Sequence, residues 1–336
     1  MSDFINLFYF WLKYIEENNI KCVVGAHSVY AYGIPLRIAA YRKIPAFAIE
    51  DEYIHRLDLK NKFQHGEYKY FKKIFSCFNE IEKSKAKTIS EKILNKRFSG
   101  MTGVHINDSR ITTSSFANKF DINKRILNDN NKIKVIIFTH EINDASNALG
   151  KNFYPDYFEW LKAIIELSKE TDFDWYIKDH PKYGGKFTPG QVMTGKITQD
   201  LIKKNSLIKF LPSSTSHHQI IKEGINFALT VNGDISYEYA YFNIPVLTAT
   251  KNCTTINYNF NIHSQNVEDY EYKIKNLDKI NFKINREEIL EYYFMMSVYK
   301  NSGEFMNFAD FLKENDNWES LFSEKIYGFF LKKWSE

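Results

Sequence analysis

The sequence predicts an α/β protein made of two Rossmann-like halves. Three observations carry this. Short apolar runs of strand length alternate with stretches of helix length, the βαβ signature of a parallel sheet. The chain has 336 residues, too many for one small core and suited to two domains. Polar residues gather just after the apolar runs of the second half, where an open parallel sheet binds its ligands.

In the first half, MSDFINLFYFWLKYIEE repeats its apolar positions at helical spacing and reads as an amphipathic helix packed on a sheet. A strand follows over 21–28 (KCVVGAHS), then a helix through VYAYGIPLRIAAYRK, then a second strand over 44–51 (IPAFAIED). Residues 67–98 are rich in Lys and Glu and read as helix in a solvated outer layer. Residues 99–131 are polar and broken (GMTGVHINDSR, NDNN), as loops or a linker are. A new α/β unit opens at KIKVIIFTH (132–140). It runs on through helix FYPDYFEWLKAIIELSKET, strand DWYIKDHP, helix TQDLIKK, strand LIKFLPS, helix SHHQIIKEG, strand NFALTVNG, helix SYEYAYFN and strand IPVLTAT. From residue 284 the pattern is helical. The expected domains are therefore 1–125, 126–283 and 284–336, the last packing back on the first.

Composition excludes several classes. Hydrophobic residues make up 44% and charged residues 26%, as in a soluble globule. With 45 basic against 41 acidic residues, the net charge of +4 is too small to argue for a nucleic-acid partner. It suits an anionic small ligand in a local basic site. Cys22, Cys77 and Cys253 are scattered and form neither a disulfide framework nor a metal spacing, which points to the cytoplasm. No run approaches the ~20 apolar residues of a membrane span. The N-terminal stretch, acidic at both ends, does not read as a signal peptide. The terminal FFLKKWSE reads as a solvated helix end, with peripheral contact to an inner-membrane surface as the alternative.

Four strand ends in the second half are polar: FTHEINDAS, IKDHPKYGG, LPSSTSHH and TVNGDISYE. Each alone is ordinary punctuation; four on one edge point to a binding site. The last is the most pointed. Asn232-Gly233-Asp234 closes a strand, Ser236 is placed to cap the next helix, and Glu238 lies in its first turn. Such a turn offers backbone N–H groups to a phosphate, and a carboxylate half a turn later suits the hydroxyls of a ribose. The plain alternative is a capped helix with Glu238 answering its dipole.

This ordered set is where a family resemblance appears. His180-Pro181, then Ser213-Ser214 with Thr215-Ser216 beside it, then N-G-D-x-S-x-E before an I-P-V strand, resembles inverting GT-B glycosyltransferases of bacterial surface polysaccharides. It is most similar to the capsule polysaccharide biosynthesis proteins, which resemble transferases of sialic acid and Kdo that use CMP-activated sugars. FTHEINDASNALGKNFYPDYFEWL also looks like that family's first donor-domain strand and helix. The resemblance covers about residues 132–250 well and 20–55 weakly.

It implies a GT-B fold, two Rossmann-like domains facing a cleft, the first short and the C-terminal helices crossing back. His180 would stabilise the departing nucleotide phosphate, with Pro181 fixing the chain and Lys178 adding positive charge. Ser213, Ser214 and Thr215 would offer hydroxyls to phosphate or base. His140, Asp144, Asn232, Gly233, Asp234, Ser236 and Glu238 complete the expected donor site, and Glu141 and Tyr30 are expected on the acceptor. An inverting transfer also needs a base to deprotonate the acceptor hydroxyl. Asp51 is the first choice, followed by Glu50 and His27; the acidic run is followed by Tyr53 where the sialyltransferase motif has Gly.

The expected activity is transfer of a CMP-activated ulosonic acid (Kdo, sialic, pseudaminic or legionaminic type) to a glycan or glycolipid acceptor, with no metal. Alternatives are a UDP- or GDP-sugar or CDP-glycerol donor, a hexosamine epimerase, or a non-catalytic sugar-nucleotide-binding subunit of a capsule assembly complex. Asp172-Phe173-Asp174 spells a DxD metal motif but precedes its strand, on the edge opposite the other loops, and reads as a polar turn.

Overall fold

The structure, a computed structural model, describes residues 2–50, 53–60, 62–63, 66–100, 115–180, 188–203 and 207–299. The expectations for Asp51, Pro181 and the C-terminal FFLKKWSE fall outside these residues.

The described residues form two sheets. In the first, β1 (Val23–Gly25) pairs in parallel with β2 (Ala46–Glu50), and β2 pairs antiparallel with β3 (Tyr53–Leu57). The helix α1 (Ser2–Glu17) arises from the spacing of Leu7, Trp11 and Ile15, which pack on Ile34 and Ile38 of α2 (Gly33–Tyr41). The other side of α2 places Leu36 and Ala39 on Ala46, Ala48 and Leu57. A Cβ at Gly33 would stand 2.2 Å from the Ser28 carbonyl oxygen, so the helix start lies against the loop after β1 only because residue 33 is glycine.

β3 departs from the sequence reading. Glu50 sits opposite Tyr53 in the antiparallel register, so a third strand, absent from the sequence reading, pairs back on β2. β3 is five residues long, and of Ile54 to Leu57 only Leu57 is buried outright, which leaves little periodicity to read.

The second sheet has the order β6-β5-β4-β7-β8, all parallel. Its strands are β4 (Lys134–Phe138), β5 (Asp174–Lys178), β6 (Ile208–Leu211), β7 (Phe227–Thr230) and β8 (Val246–Thr248). β4 and β7 are buried at every residue, as parallel strands covered on both faces are. One face packs Val135, Ile137, Trp175 and Leu229 on Trp160 and Ile164 of α5 (Tyr157–Ser168) and on Tyr270 of α9 (Val267–Lys275). The other packs Ile136, Tyr176 and Ala228 on Ile220 of α7 (His217–Lys222) and Tyr239 of α8 (Ile235–Tyr241). α6 (Pro189–Lys203) links β5 to β6 and begins well before the expected TQDLIKK. This is the Rossmann-like parallel α/β sheet the sequence predicts, with its strands at the expected places along the chain.

A third core joins the two halves. α3 (Phe71–Ser76) and α4 (Glu80–Phe98) bury Phe71, Phe75, Ala86, Leu94 and Phe98 against Tyr237, Tyr258 and the residues Ile289 and Tyr293 of α10 (Arg286–Phe294). The expected solvated layer thus has one buried stripe, at 86, 90, 94 and 98, the four-residue spacing of a helix face. α4 starts at a capping box, with Asn79 accepting from the Glu82 N–H at 2.9 Å and Glu82 accepting from the Asn79 N–H at 2.8 Å. That fixed start and the buried stripe carry Arg97, in the last turn, to the start of α8. Among the described residues no helix is long and apolar enough to cross a membrane.

Candidate functional site

The chain runs from β4 outward through β5 and β6, then returns to β7 and β8 on the other side. The topological switch point therefore lies between the carboxyl ends of β4 and β7, where such sheets open a crevice. His140 follows β4 and spans that crevice. Its Nε2 accepts from the Val231 N–H at 3.1 Å and stands 3.0 Å from Thr230 Oγ1, both at the end of β7. A ring nitrogen that accepts from a backbone N–H carries no proton, so the imidazole is neutral with its proton on Nδ1. Burial and the neighbouring His180 push its pKa down to about 3, in accord with that geometry. The ring stacks on Tyr157, centroids 4.4 Å apart and 12° from parallel. Tyr157 in turn hydrogen-bonds Asn232, and burial raises its phenol pKa.

Gly233 packs beside His140. A Cβ there would come within 3.0 Å of Thr230 Oγ1 and 3.4 Å of His140 Cε1, and its N–H donates to Thr230 Oγ1 at 3.2 Å. His140, Tyr157, Asn232 and Gly233 thus meet as one group at the switch point.

His180 stands at the end of β5. Gln191 accepts from the Thr188 N–H at 3.0 Å through Oε1, which turns its amide nitrogen to His180 Nδ1, also at 3.0 Å. Gln191 therefore donates to Nδ1 and places the proton of the neutral ring on Nε2. Its neighbour Asp179 has a pKa raised by burial, opposed by the His180 N–H and by Lys178.

The first half closes over this edge at Tyr30. Its hydroxyl donates to Asp144 Oδ1 and accepts from the Ala145 N–H at 3.1 Å. Burial and Asp144 push its phenol pKa up to about 12. Tyr30 has φ +54, a left-handed backbone that is rare for tyrosine. His27 packs edge-on to Tyr30 and Tyr32, and its Nδ1 is buried without a hydrogen-bond partner among the described residues. Glu50 lies at the end of β2.

A second group lies at the ends of β5, β6 and β7. Lys178 is 1% exposed, and its ammonium donates to Ser115 Oγ and to the Ser213 carbonyl, both at 3.1 Å. Burial pushes its pKa down to about 7, with Asp179 and Glu238 opposing. Asn118 Nδ2 donates to the Ser213 carbonyl at 3.1 Å and the Thr215 carbonyl at 3.4 Å. What this loop shows to the first half is thus its backbone; the Ser214 side chain is exposed.

Arg97 occupies the start of α8. Its Nε donates to Glu238 Oε1 at 2.6 Å and its Nη2 to Asp234 Oδ2 at 2.9 Å. Burial alone lowers the guanidinium pKa, but Tyr237, Glu238 and Asp234 raise it further, so Arg97 stays charged. Burial pushes the Glu238 carboxyl up and Arg97 holds it down.

Lys178, expected to face the ligand, is thus buried, and two further placements differ. Ser236 is not the cap of α8: the helix starts at Ile235, Asp234 precedes it, and Ser236 is buried inside the first turn. Glu141 turns toward α6, where its Oε1 accepts from Thr188 Oγ1 at 3.1 Å beside Gly190. Asp172 lies before β5, paired with Lys132, but Asp174 of the same motif is the first residue of β5 instead of preceding it. No group of three His, Cys, Asp or Glu side chains among the described residues is arranged to hold a metal. Arg97, Tyr157, Thr230 and Gln191 went unpredicted, because each sits inside or beside an element whose pattern reads as structural.

Fold and site together define an α/β protein with a Rossmann-like parallel sheet and a histidine bridging its two central strand ends at the switch point. No protein-family model matches the chain, and no curated protein matches it in sequence. Solved structures similar to it include the UDP-GlcNAc 2-epimerase of Neisseria meningitidis bound to UDP-GlcNAc, with 15% identity over 93% of this chain and 80% of that one, TM-score 0.32. Another is the UDP-GlcNAc 2-epimerase of Methanocaldococcus jannaschii in complex with UDP-GlcNAc and UDP, with 13% identity over 89% and 81%, TM-score 0.34. Likeness of this degree says nothing about what the chain binds or does.

Proposed function

We propose that the protein is a nucleotide-sugar enzyme, an inverting transferase that moves a CMP-activated ulosonic acid to a glycan or glycolipid acceptor. The observation that carries the reading is the crevice between β4 and β7, where His140, Asn232 and Gly233 meet at the switch point and His180 stands on the neighbouring strand end. The donor class rests on the resemblance of the His180-Pro181 and Ser213-Ser214 order to CMP-sugar transferases.

In this reading the nucleotide phosphate lies at the crevice mouth. His140, neutral, offers its Nδ1–H. His180 offers Nε2–H to the negative charge that develops on CMP as it departs. Asn232 and the backbone at Gly233 border the phosphate. His27, beside Tyr30 where the first half meets this edge, is the described group offered to take the acceptor proton. Asp51, the first choice from the sequence, and Glu50 stay as its competitors. No metal takes part in this scheme.

The test is CMP release from CMP-sialic acid and CMP-Kdo in the presence of a glycan acceptor panel, for wild type, His180→Ala and His27→Ala. The reading expects acceptor-dependent CMP release that both substitutions reduce by about 10²-fold or more. Turnover only with a UDP- or GDP-sugar or CDP-glycerol would move the donor class. No turnover, with partner binding unaffected by either substitution, would favour a non-catalytic subunit.

A further inference from the structure

The two contacts of Arg97 are unlike each other. Glu238 has a side chain 6% exposed, and Arg97 at 2.6 Å is what allows that carboxylate to be buried. Asp234 has a side chain 67% exposed and could be solvated by water alone. One arm of the guanidinium is thus fixed and the other rests on an exchangeable partner.

The exchangeable partner sits beside the ligand crevice. Asp234 directly follows Asn232 and Gly233, and Gly233 contacts His140. Lys178 lies in the same patch, with an electrostatic influence from Glu238, and is hydrogen-bonded to two neutral oxygens. An anionic group entering at Gly233 would therefore meet a guanidinium with one arm already engaged by a carboxylate that water can replace. Arg97 is itself anchored by Tyr237, whose ring lies 5.6 Å beneath its Cζ, so it turns about Glu238 without leaving the site.

We propose that Arg97 is the anion-recognising residue of this site and that Asp234 is an internal anion holding its place. The phosphate of the nucleotide displaces the Asp234 carboxylate from Arg97 Nη2, while Glu238 keeps Nε. Glu238 then acts as a positioning residue for Arg97 instead of meeting the ribose. This rests on the nucleotide-binding reading above and adds to it a named anion contact from the first half of the chain. No covalent step is involved.

The experiment is calorimetric titration of the full chain with CMP and UDP, for wild type, Asp234→Asn, the double variant Arg97→Gln/Glu238→Gln, and His140→Ala. Removing an exposed competing charge pair should tighten nucleotide binding by about two- to fivefold in Asp234→Asn. The double variant keeps a neutral hydrogen-bonded pair in the buried position and should bind about tenfold or more weakly. Unchanged or weaker binding by Asp234→Asn overturns the inference, as does full affinity in the double variant. If wild type binds and His140→Ala weakens binding while Asp234→Asn is neutral, only the role of Arg97 falls. If neither wild type nor Asp234→Asn binds any nucleotide, both readings fall.

Discussion

Tyr30 and Asp144 are joined across the two halves of the chain: the hydroxyl at the end of the first sheet donates to the carboxylate in the loop after β4. The Ala145 N–H donates to both, at 3.1 Å to the Tyr30 oxygen and 2.7 Å to Asp144 Oδ1. Tyr30→Phe should therefore cost about 0.5–1.5 kcal/mol and speed amide exchange at Ala145. The sign of the pH dependence follows from the phenol pKa, raised to about 12 by burial and Asp144. Between the unfolded value near 10 and that value the folded protein holds the proton more tightly, so the stabilisation is whole below about pH 10 and fades as pH rises toward 12. Denaturant unfolding of both proteins at pH 8 to 11.5 checks this; a difference that grows with alkalinity would contradict it.

Lys178 gives the opposite kind of dependence. Its folded pKa is pushed down to about 7 by burial, from 10.5. The unfolded chain binds the proton more tightly, so the folded state is penalised increasingly as pH falls from about 10.5 to 7, and the penalty is constant below. Lys178→Met should gain stability over wild type across that window, by about 2–4 kcal/mol between its ends. Urea unfolding at pH 6, 7, 8.5 and 10 reads the difference, and a flat profile would mean that the ammonium is well solvated.

Gly190 lies at the second position of α6, where an added Cβ would stand 1.9 Å from Glu141 Oε1 and 2.4 Å from Asn143 Oδ1. Gly190→Ala should destabilise by about 1–3 kcal/mol, and Glu141→Ala in the same chain should recover part of it. The check is a double-mutant cycle of melting temperatures. Additive losses would place Glu141 elsewhere.

Arg97→Ala strands a buried carboxylate and should cost about 3–5 kcal/mol, whereas Glu238→Gln added to it should restore much of that. Thermal unfolding of the single and double variants decides. A mild loss in the single variant would mean Glu238 reaches solvent.

The second sheet was legible because its strands are continuous apolar runs that stop at polar loops; KVIIF, DWYIK and FALT are where the sequence places them. The shared edge of those loops was legible too, because parallel strands put every carboxyl end on one side. The side-chain contacts were not. Arg97 lies on a helix with Lys and Glu along most of its length, and its partners Asp234 and Glu238 are far off in sequence, so no local pattern marks it. Tyr30 adopts a backbone that sequence rules assign to Gly or Asn. β3 is short and mostly unburied, so its alternation carries little signal. Lys178 looked like a ligand-facing cation; tertiary packing by Ser115 and the Ser213 carbonyl buries it instead.

The central claim is that a nucleotide binds in the crevice that His140 spans between β4 and β7. The most direct measurement is equilibrium binding of CMP, CDP, UDP and GDP to wild type and to His140→Ala and His180→Ala, each checked for unchanged melting. The account predicts that CMP binds best and that each substitution weakens it about tenfold or more. Binding that survives both substitutions would place the nucleotide elsewhere, and no binding of any of the four would contradict the claim outright.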